Sequence, residues 1–220
     1  MQSISPGHPG LPHGGHATNL RRLRWAESML PAEELMGHVL VLGGARSGKT
    51  GFAERLAMRA GESPLYLATA QALDAEMRER VRMHQQQRHK RFSTLEEPLA
   101  LPTALRAAAK SHDVILVDCL TLWITNLLGA NQDVAKAVDE LVAALPAIVS
   151  SRVIIVSNEV GLGIVPDNPL ARMFRDLTGA AHQRLAEICS DVHFVVAGLP
   201  MTLKGERLTE SSAPPPVPEG

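Results

Sequence analysis

Residues 43–50 read GGARSGKT, two glycines with four residues between them, then a lysine and a hydroxyl side chain. What surrounds this loop narrows the fold further. An apolar run, Val39–Leu42, comes before it, and a helix-competent stretch, Phe52–Ala60, comes after it. Strand, glycine-rich turn and helix in this order let successive backbone N–H groups surround a phosphate. The spacing predicts Lys49 at the β- and γ-phosphates and the Thr50 hydroxyl on Mg²⁺, with the partial positive charge of the helix N-terminus behind them. A coincidental glycine turn explains the letters but not the strand and helix on either side.

The rest of the chain repeats that alternation. Strand candidates are Val39–Leu42, Leu65–Ala68, Val114–Val117, Val153–Val156 and Phe194–Val196. Helix-like stretches lie between and around them at Phe52–Ala60, Ala72–Arg88, Leu99–Ala109, Leu120–Leu128, Val134–Leu145 and Leu170–Cys189. Short, continuously apolar, β-branched strands imply a sheet buried on both faces. Their alternation with helices implies right-handed parallel crossovers. The expected architecture is a three-layer α/β fold of the P-loop nucleotide-hydrolase (RecA-like) type with a mostly parallel central sheet.

Composition sets the limits of this unit. A chain of 220 residues suggests one domain, here residues 38–204, with extensions at 1–37 and 205–220. Residues 1–17 are rich in Pro, Gly and His, without periodicity, and read as a flexible tail; His8, His13 and His16 lack an ordered scaffold for a metal. Thr18–Leu35 could form a short helix bearing Arg21, Arg22 and Arg24, and Met36 is a candidate start of the functional protein. A net charge of −1 gives no global attraction to nucleic acid or anionic membrane. Cys119 and Cys189 sit in apolar segments and read as buried thiols of a reducing compartment rather than as a disulfide. With no run near the ~18 apolar residues of a membrane span and no secretory leader, a soluble cytoplasmic protein is expected.

Four further segments carry candidate chemistry. Asp118 ends the run Val114–Val117. An acid at the carboxyl end of a neighbouring strand can hold Mg²⁺ in such a fold, although an Asp here could instead cap the helix near Leu120. The stretch EMRERVRMHQQQRHKR, residues 76–91, places Met77, Val81, His84 and Arg88 on one helical stripe. On spacing alone it is a solvated basic helix with an incidental histidine. The functional reading has Arg88, His89, Lys90 and Arg91 attract phosphates while neutral His84 attacks phosphorus. Glu96 and Glu97 could accept paired hydrogen bonds from ribose or guanine, or simply open the next helix. Finally, Asn158, Glu159 and Gly161–Pro166 follow a strand at the edge where open α/β sheets place ligands, and read as a substrate loop.

Taken together, these segments resemble the bifunctional adenosylcobinamide kinase / adenosylcobinamide-phosphate guanylyltransferase family of cobalamin biosynthesis. The resemblance is carried by GGARSGKT, YLATAQALDAEMRERV with His84 following, TLEEP, VDCLTLWITNLL, VSNEVGLGIVPDNPLARMFRD and VVAGLP. It implies two reactions on one P-loop domain: phosphorylation of adenosylcobinamide, then transfer of GMP from GTP to adenosylcobinamide phosphate with release of pyrophosphate. It also implies that the guanylylated residue is His84, reversing the reading from spacing. By position, Gly44, Ala45, Arg46, Ser47, Gly48, Lys49, Thr50 and Gly51 match the family's phosphate-binding segment. Thr69, Ala70, Arg88, His89, Lys90, Arg91, Glu96 and Asp118 lie where the family contacts GTP. Mg²⁺ on Thr50 and Asp118, GTP and ATP as substrates, and a homotrimer are implied likewise. The chain departs from the pattern at Phe92, where Trp is usual, at His182, where Asn is expected, and at residues 1–37, which have no counterpart.

Two rival readings are a P-loop small-molecule kinase without nucleotidyl transfer and a GTP-binding switch. The switch lacks an Asn-Lys-x-Asp motif, and the D-x-x-G at Asp176–Gly179 falls within a helical pattern.

Overall fold

The computed structural model describes residues 37–70 and 90–205. The expected helix over Ala72–Arg88, the short N-terminal helix and nearly all of both tails lie outside the described residues. What is described is a seven-stranded sheet in the order β3-β2-β4-β5-β1-β6-β7. Its strands are β1 (Val39–Gly43), β2 (Pro64–Ala68), β3 (Ser93–Glu96), β4 (Val114–Asp118), β5 (Arg152–Asn158), β6 (Asp191–Val196) and β7 (Leu199–Lys204). The helices are α1 (Lys49–Ala60), α2 (Leu101–Ala108), α3 (Leu120–Gly129), α4 (Val134–Ala144) and α5 (Pro169–Ile188).

All neighbouring strands pair parallel except β6 and β7. The central strands β1 and β2 are buried along their whole length, as continuous apolar runs require when helices cover both faces. Period-two alternation assigns the faces. Leu40, Leu42, Leu65, Leu67, Ile115, Val117, Val153 and Ile155 pack in one core with residues of α2, α3, α4 and α5. The intervening side chains face α1, which brings Phe52, Ala53, Leu56 and Ala57 to that side. The result is the expected three-layer, mostly parallel α/β architecture.

Two strands were not expected. At β3 the sequence is STLE, exposed at all four positions, so no apolar run announces it. Strand β7 alternates exposed Leu199, Met201 and Leu203 with half-buried Pro200 and Thr202, and its proline is tolerated because the strand is an edge. A two-residue turn, Ala197 (φ 52°) and Gly198 (φ 82°), joins it to β6, both residues taking the left-handed backbone that tight hairpins need. Among the described residues, no helix is long and apolar enough to cross a membrane.

Candidate active site

Parallel pairing brings the carboxyl ends of the strands into register. In one row Glu96 of β3 is opposite Ala68 of β2, and Ala68 is opposite Asp118 of β4. Farther along the same edge Asn158 of β5 is opposite Gly43 of β1. The phosphate-binding loop emerges at the middle of this edge, between the end of β1 and Lys49, the first residue of α1.

The loop needs glycine where it is crowded. A side chain at Gly43 would place Cβ 2.5 Å from the carbonyl oxygen of Val195, and one at Gly48 would place it 3.0 Å from the Gly198 Cα, whereas Gly44 has open space. Gly48 also takes φ 92°, and Arg46 φ 56°. The β6–β7 turn supports the loop from beside it, since the Gly198 N–H donates to the Ser47 carbonyl at 2.7 Å. Neither Gly43 nor this turn was among the expected site residues. Gly43 could have been found as the first glycine of the motif, but no local signal links residue 198 to residue 47.

Gly48 is the N-cap of α1, with no side chain capping the helix and no acid in its first turn. The first-turn N–H groups and the helix dipole therefore remain available to an anion. Lys49 is 8% exposed, and its Nζ donates to the Gly44 carbonyl at 3.0 Å. Burial lowers its pKa, and the nearby Asp118 carboxylate opposes that shift. The buried Ser47 Oγ has no hydrogen-bond partner among the described residues.

Asp118 does not cap α3. The cap is Cys119, without a side-chain hydrogen bond. Instead the Asp118 Oδ2 accepts from Thr50 Oγ1 at 3.1 Å and from Tyr66 Oη at 2.6 Å. A hydroxyl and a carboxylate held together at the loop suit a hard cation that takes oxygen ligands. Among the described residues no cluster of three or more His, Cys, Asp or Glu could hold a metal by itself. This donor set therefore fits Mg²⁺, which is commonly bound by one or two carboxylates together with substrate phosphates. Tyr66 is a further residue the sequence reading missed. Phe92, the residue in the usual tryptophan position, packs edge-on against it with ring centroids 6.1 Å apart.

The remaining expected residues divide. Thr69 is buried, and its hydroxyl donates to the Cys119 carbonyl at 2.7 Å and accepts from the Cys119 N–H at 2.8 Å, tying β2 to β4. Ala70 follows it at the same edge. Glu96 is exposed at the end of β3, while Glu97 closes the turn that precedes α2 without capping it: its Oε1 accepts from the N–H groups of Leu99 (2.9 Å) and Ala100 (2.8 Å). Lys90 and Arg91 are not brought to the phosphate loop. The guanidinium of Arg91 donates to the carbonyls of Met58, Gly61 and Glu62, at the far end of α1. Twelve helical residues span about 18 Å. The reason is topological: β3 runs parallel to β2, so residues preceding it enter from the opposite edge. His84, Arg88 and His89 lie outside the described residues.

Beside the loop, the Glu159 N–H donates to the Gly43 carbonyl at 3.0 Å. Asn158 donates through Nδ2 to Thr121 Oγ1 at 3.0 Å. The segment then leaves the sheet with Leu162, Ile164 and Val165 exposed, and Asn168 ends it by capping α5 at the N–H groups of Leu170 and Ala171. Asp176–Gly179 lies inside α5, away from any strand end, which removes the structural basis for a switch motif.

With this geometry in view, the sequence matches the family described as cobinamide kinase / cobinamide phosphate guanyltransferase over residues 39–203. This chain belongs to that family. It is 51% identical over 174 residues to the bifunctional adenosylcobalamin biosynthesis protein CobP of Pseudomonas aeruginosa, covering 77% of this chain and 98% of that one. Two proteins named CobU are similar: 40% identity with that of Salmonella typhimurium and 38% with that of Escherichia coli, each over 76% of this chain and 99% of the relative. Among solved structures, the flagellar accessory protein FlaH of Methanocaldococcus jannaschii is similar at 16% identity with a TM-score of 0.48, covering 79% of this chain and 83% of that one. Within the family, the matched region begins at β1 and ends in β7, so it includes both the phosphate loop and the hairpin turn that supports it.

Proposed function

We propose that this chain phosphorylates adenosylcobinamide with ATP or GTP and then transfers GMP from GTP to the phosphate it has made. The observation that carries the reading is the cradle at the carboxyl edge: an uncapped helix N-terminus, buried Lys49, and Thr50 paired with Asp118, in a chain of this family.

In the first reaction the loop amides, Lys49 and Arg46 hold the donor's phosphates. The acceptor hydroxyl attacks the γ-phosphorus, forming a new O–P bond as the bond to the β-phosphate oxygen breaks, and the hydroxyl proton leaves. Positioning and electrostatics supply most of the acceleration. Mg²⁺ held by Thr50 and Asp118 would neutralise charge developing on the phosphate oxygens.

In the second reaction His84 attacks the α-phosphorus of GTP. A nitrogen–phosphorus bond forms and pyrophosphate departs; the acceptor's phosphate then displaces the histidine, regenerating it. Glu96, at the exposed end of β3, is suited to a nucleoside hydroxyl or base edge, whereas Thr69 acts through the backbone it fixes.

The same reading makes residues 38–204 the catalytic unit and the two extensions accessory. It makes the assembly a homotrimer; the apolar edge of β7 supports association between subunits without setting their number, because exposed apolar edge strands invite pairing. Buried free thiols at Cys119 and Cys189 support a cytoplasmic setting.

Labelled GTP tests the nucleophile. The protein should acquire acid-labile, alkali-stable label, and His84→Ala should abolish it while leaving kinase turnover. Undiminished labelling of His84→Ala would overturn the assignment.

A further inference from the structure

His182 lies on α5, buried to 6% exposure, beneath the segment that follows β5. Its Nε2 is 2.7 Å from Ser157 Oγ, and its Nδ1 is 3.7 Å from Glu159 Oε2. Serine, histidine and carboxylate in that order suggest a hydrolytic triad. Ser157, however, is fully buried in β5, between β1 and β4, where no substrate reaches its hydroxyl.

The trio has a different connection. Glu159 is fastened at two more points: its N–H donates to the Gly43 carbonyl, and its Oε1 accepts the Gly161 N–H. A side chain at Gly161 would stand 2.8 Å from that carboxylate oxygen, so the Glu159 carboxylate would have to move aside for it. Burial favours neutral His182. The tautomer that accepts from Ser157 at Nε2 carries its hydrogen on Nδ1, where it faces the Glu159 carboxylate across 3.7 Å.

We infer that His182 is a positioning residue for the loop of residues 159–168, which on the function proposed above receives the acceptor and is called the acceptor loop below: its ring orients the Glu159 carboxylate, and that carboxylate closes the start of the loop onto the Gly161 N–H. The identity of the acceptor rests on the function proposed above; the mechanical link does not. An asparagine amide reproduces the Nδ1 side of an imidazole, and a glutamine amide reproduces the Nε2 side. The asparagine variant is therefore the one that can still face Glu159.

The two variants separate the two sides of the ring. In the full chain, His182→Gln and His182→Ala should raise the KM for adenosylcobinamide about three- to ten-fold, with nucleotide Kd and kcat nearly unchanged. They should also speed amide hydrogen exchange at Gly161. His182→Asn should restore both readouts, and adding Glu159→Ala to His182→Ala should cost little more. The inference is overturned if His182→Asn is as impaired as His182→Gln, or if melting temperature falls while KM and exchange at Gly161 stay unchanged. Failure of the unmodified protein to phosphorylate adenosylcobinamide would sink the proposed function, yet the exchange comparison would still decide the role of His182.

Discussion

Two loops leave the same sheet edge and differ in how they are held. The phosphate loop is braced along its flank by the end of β6 and the turn after it: glycines at 43 and 48 sit against the backbone of Val195 and Gly198, and that turn donates to Ser47. Among the described residues, the loop proposed for the acceptor is fastened near its ends, by Glu159 at one and Asn168 and Arg172 at the other. Between them Leu162 is 81% and Ile164 97% exposed. A receptor for phosphate must have its dipoles fixed before the anion arrives. A surface for a large, partly apolar acceptor can afford mobility and exposed side chains. The first loop is held by the fold around it; the second is left open by the fold.

The largest effect should come from the braced loop. Lys49→Ala should lower turnover in both phosphoryl and guanylyl transfer by about 10²- to 10³-fold, the usual cost of removing one electrostatic group from a preorganised site. Steady-state assays of each half-reaction measure it. Normal kinase turnover would break the distinction between the loops.

Next comes the backbone. Gly48→Ala forces a left-handed residue and a 3.0 Å approach to Gly198, and should destabilise the protein by about 1–3 kcal/mol. Gly163→Ala, in open space without positive φ, should be neutral or stabilise by up to ~1 kcal/mol. Urea denaturation of the pair reads the contrast directly; equal losses would show that the acceptor loop is as tightly built as the other.

How much of this was legible beforehand depended on whether the cause was local. Lys49, Thr50 and Asp118 were readable because a motif and a strand end are short-range features. The apolar β-branched strands were readable for the same reason. Tyr66 was not, since its bond to Asp118 depends on the register of β2 against β4. Arg91 was grouped with the phosphate site as part of the basic run 88–91 beside His84, a stretch that the family resemblance also assigns to GTP. Adjacency says nothing about which edge a segment occupies, and the unexpected parallel strand β3 sends it to the far end of α1. Strand β3 itself escaped because an exposed STLE carries no apolar period.

Acid should probe the buried imidazoles. His193 packs edge-on against Phe52 of α1, and His182 lies beneath the acceptor loop; His38 accepts the Val153 N–H at the start of β5. Burial lowers the pKa of all three below 6.5. The unfolded chain then binds more protons than the folded one as pH drops below 6.5, so this stability is present above that value and is lost as pH falls through the folded pKa values. Denaturation midpoints should therefore decrease from pH 7.5 to pH 5.5 with an unchanged denaturant slope. A flat profile would mean that these imidazoles are solvated.

The smallest change in stability should accompany the most exposed of the large apolar side chains among the described residues. Ile164 is 97% exposed, so Ile164→Ser removes almost no buried surface and should leave unfolding free energy within about ±0.5 kcal/mol. If the acceptor loop presents Ile164 to the substrate, the same variant should raise the KM for adenosylcobinamide while nucleotide Kd stays constant. That pairing, a folding-neutral change with a one-sided kinetic effect, is what an exposed apolar loop beside a rigid anion site should show. A loss of stability comparable to that of Gly48→Ala would mean that Ile164 is covered in the assembled enzyme. The exposed loop would then belong with the β7 edge as part of a subunit contact.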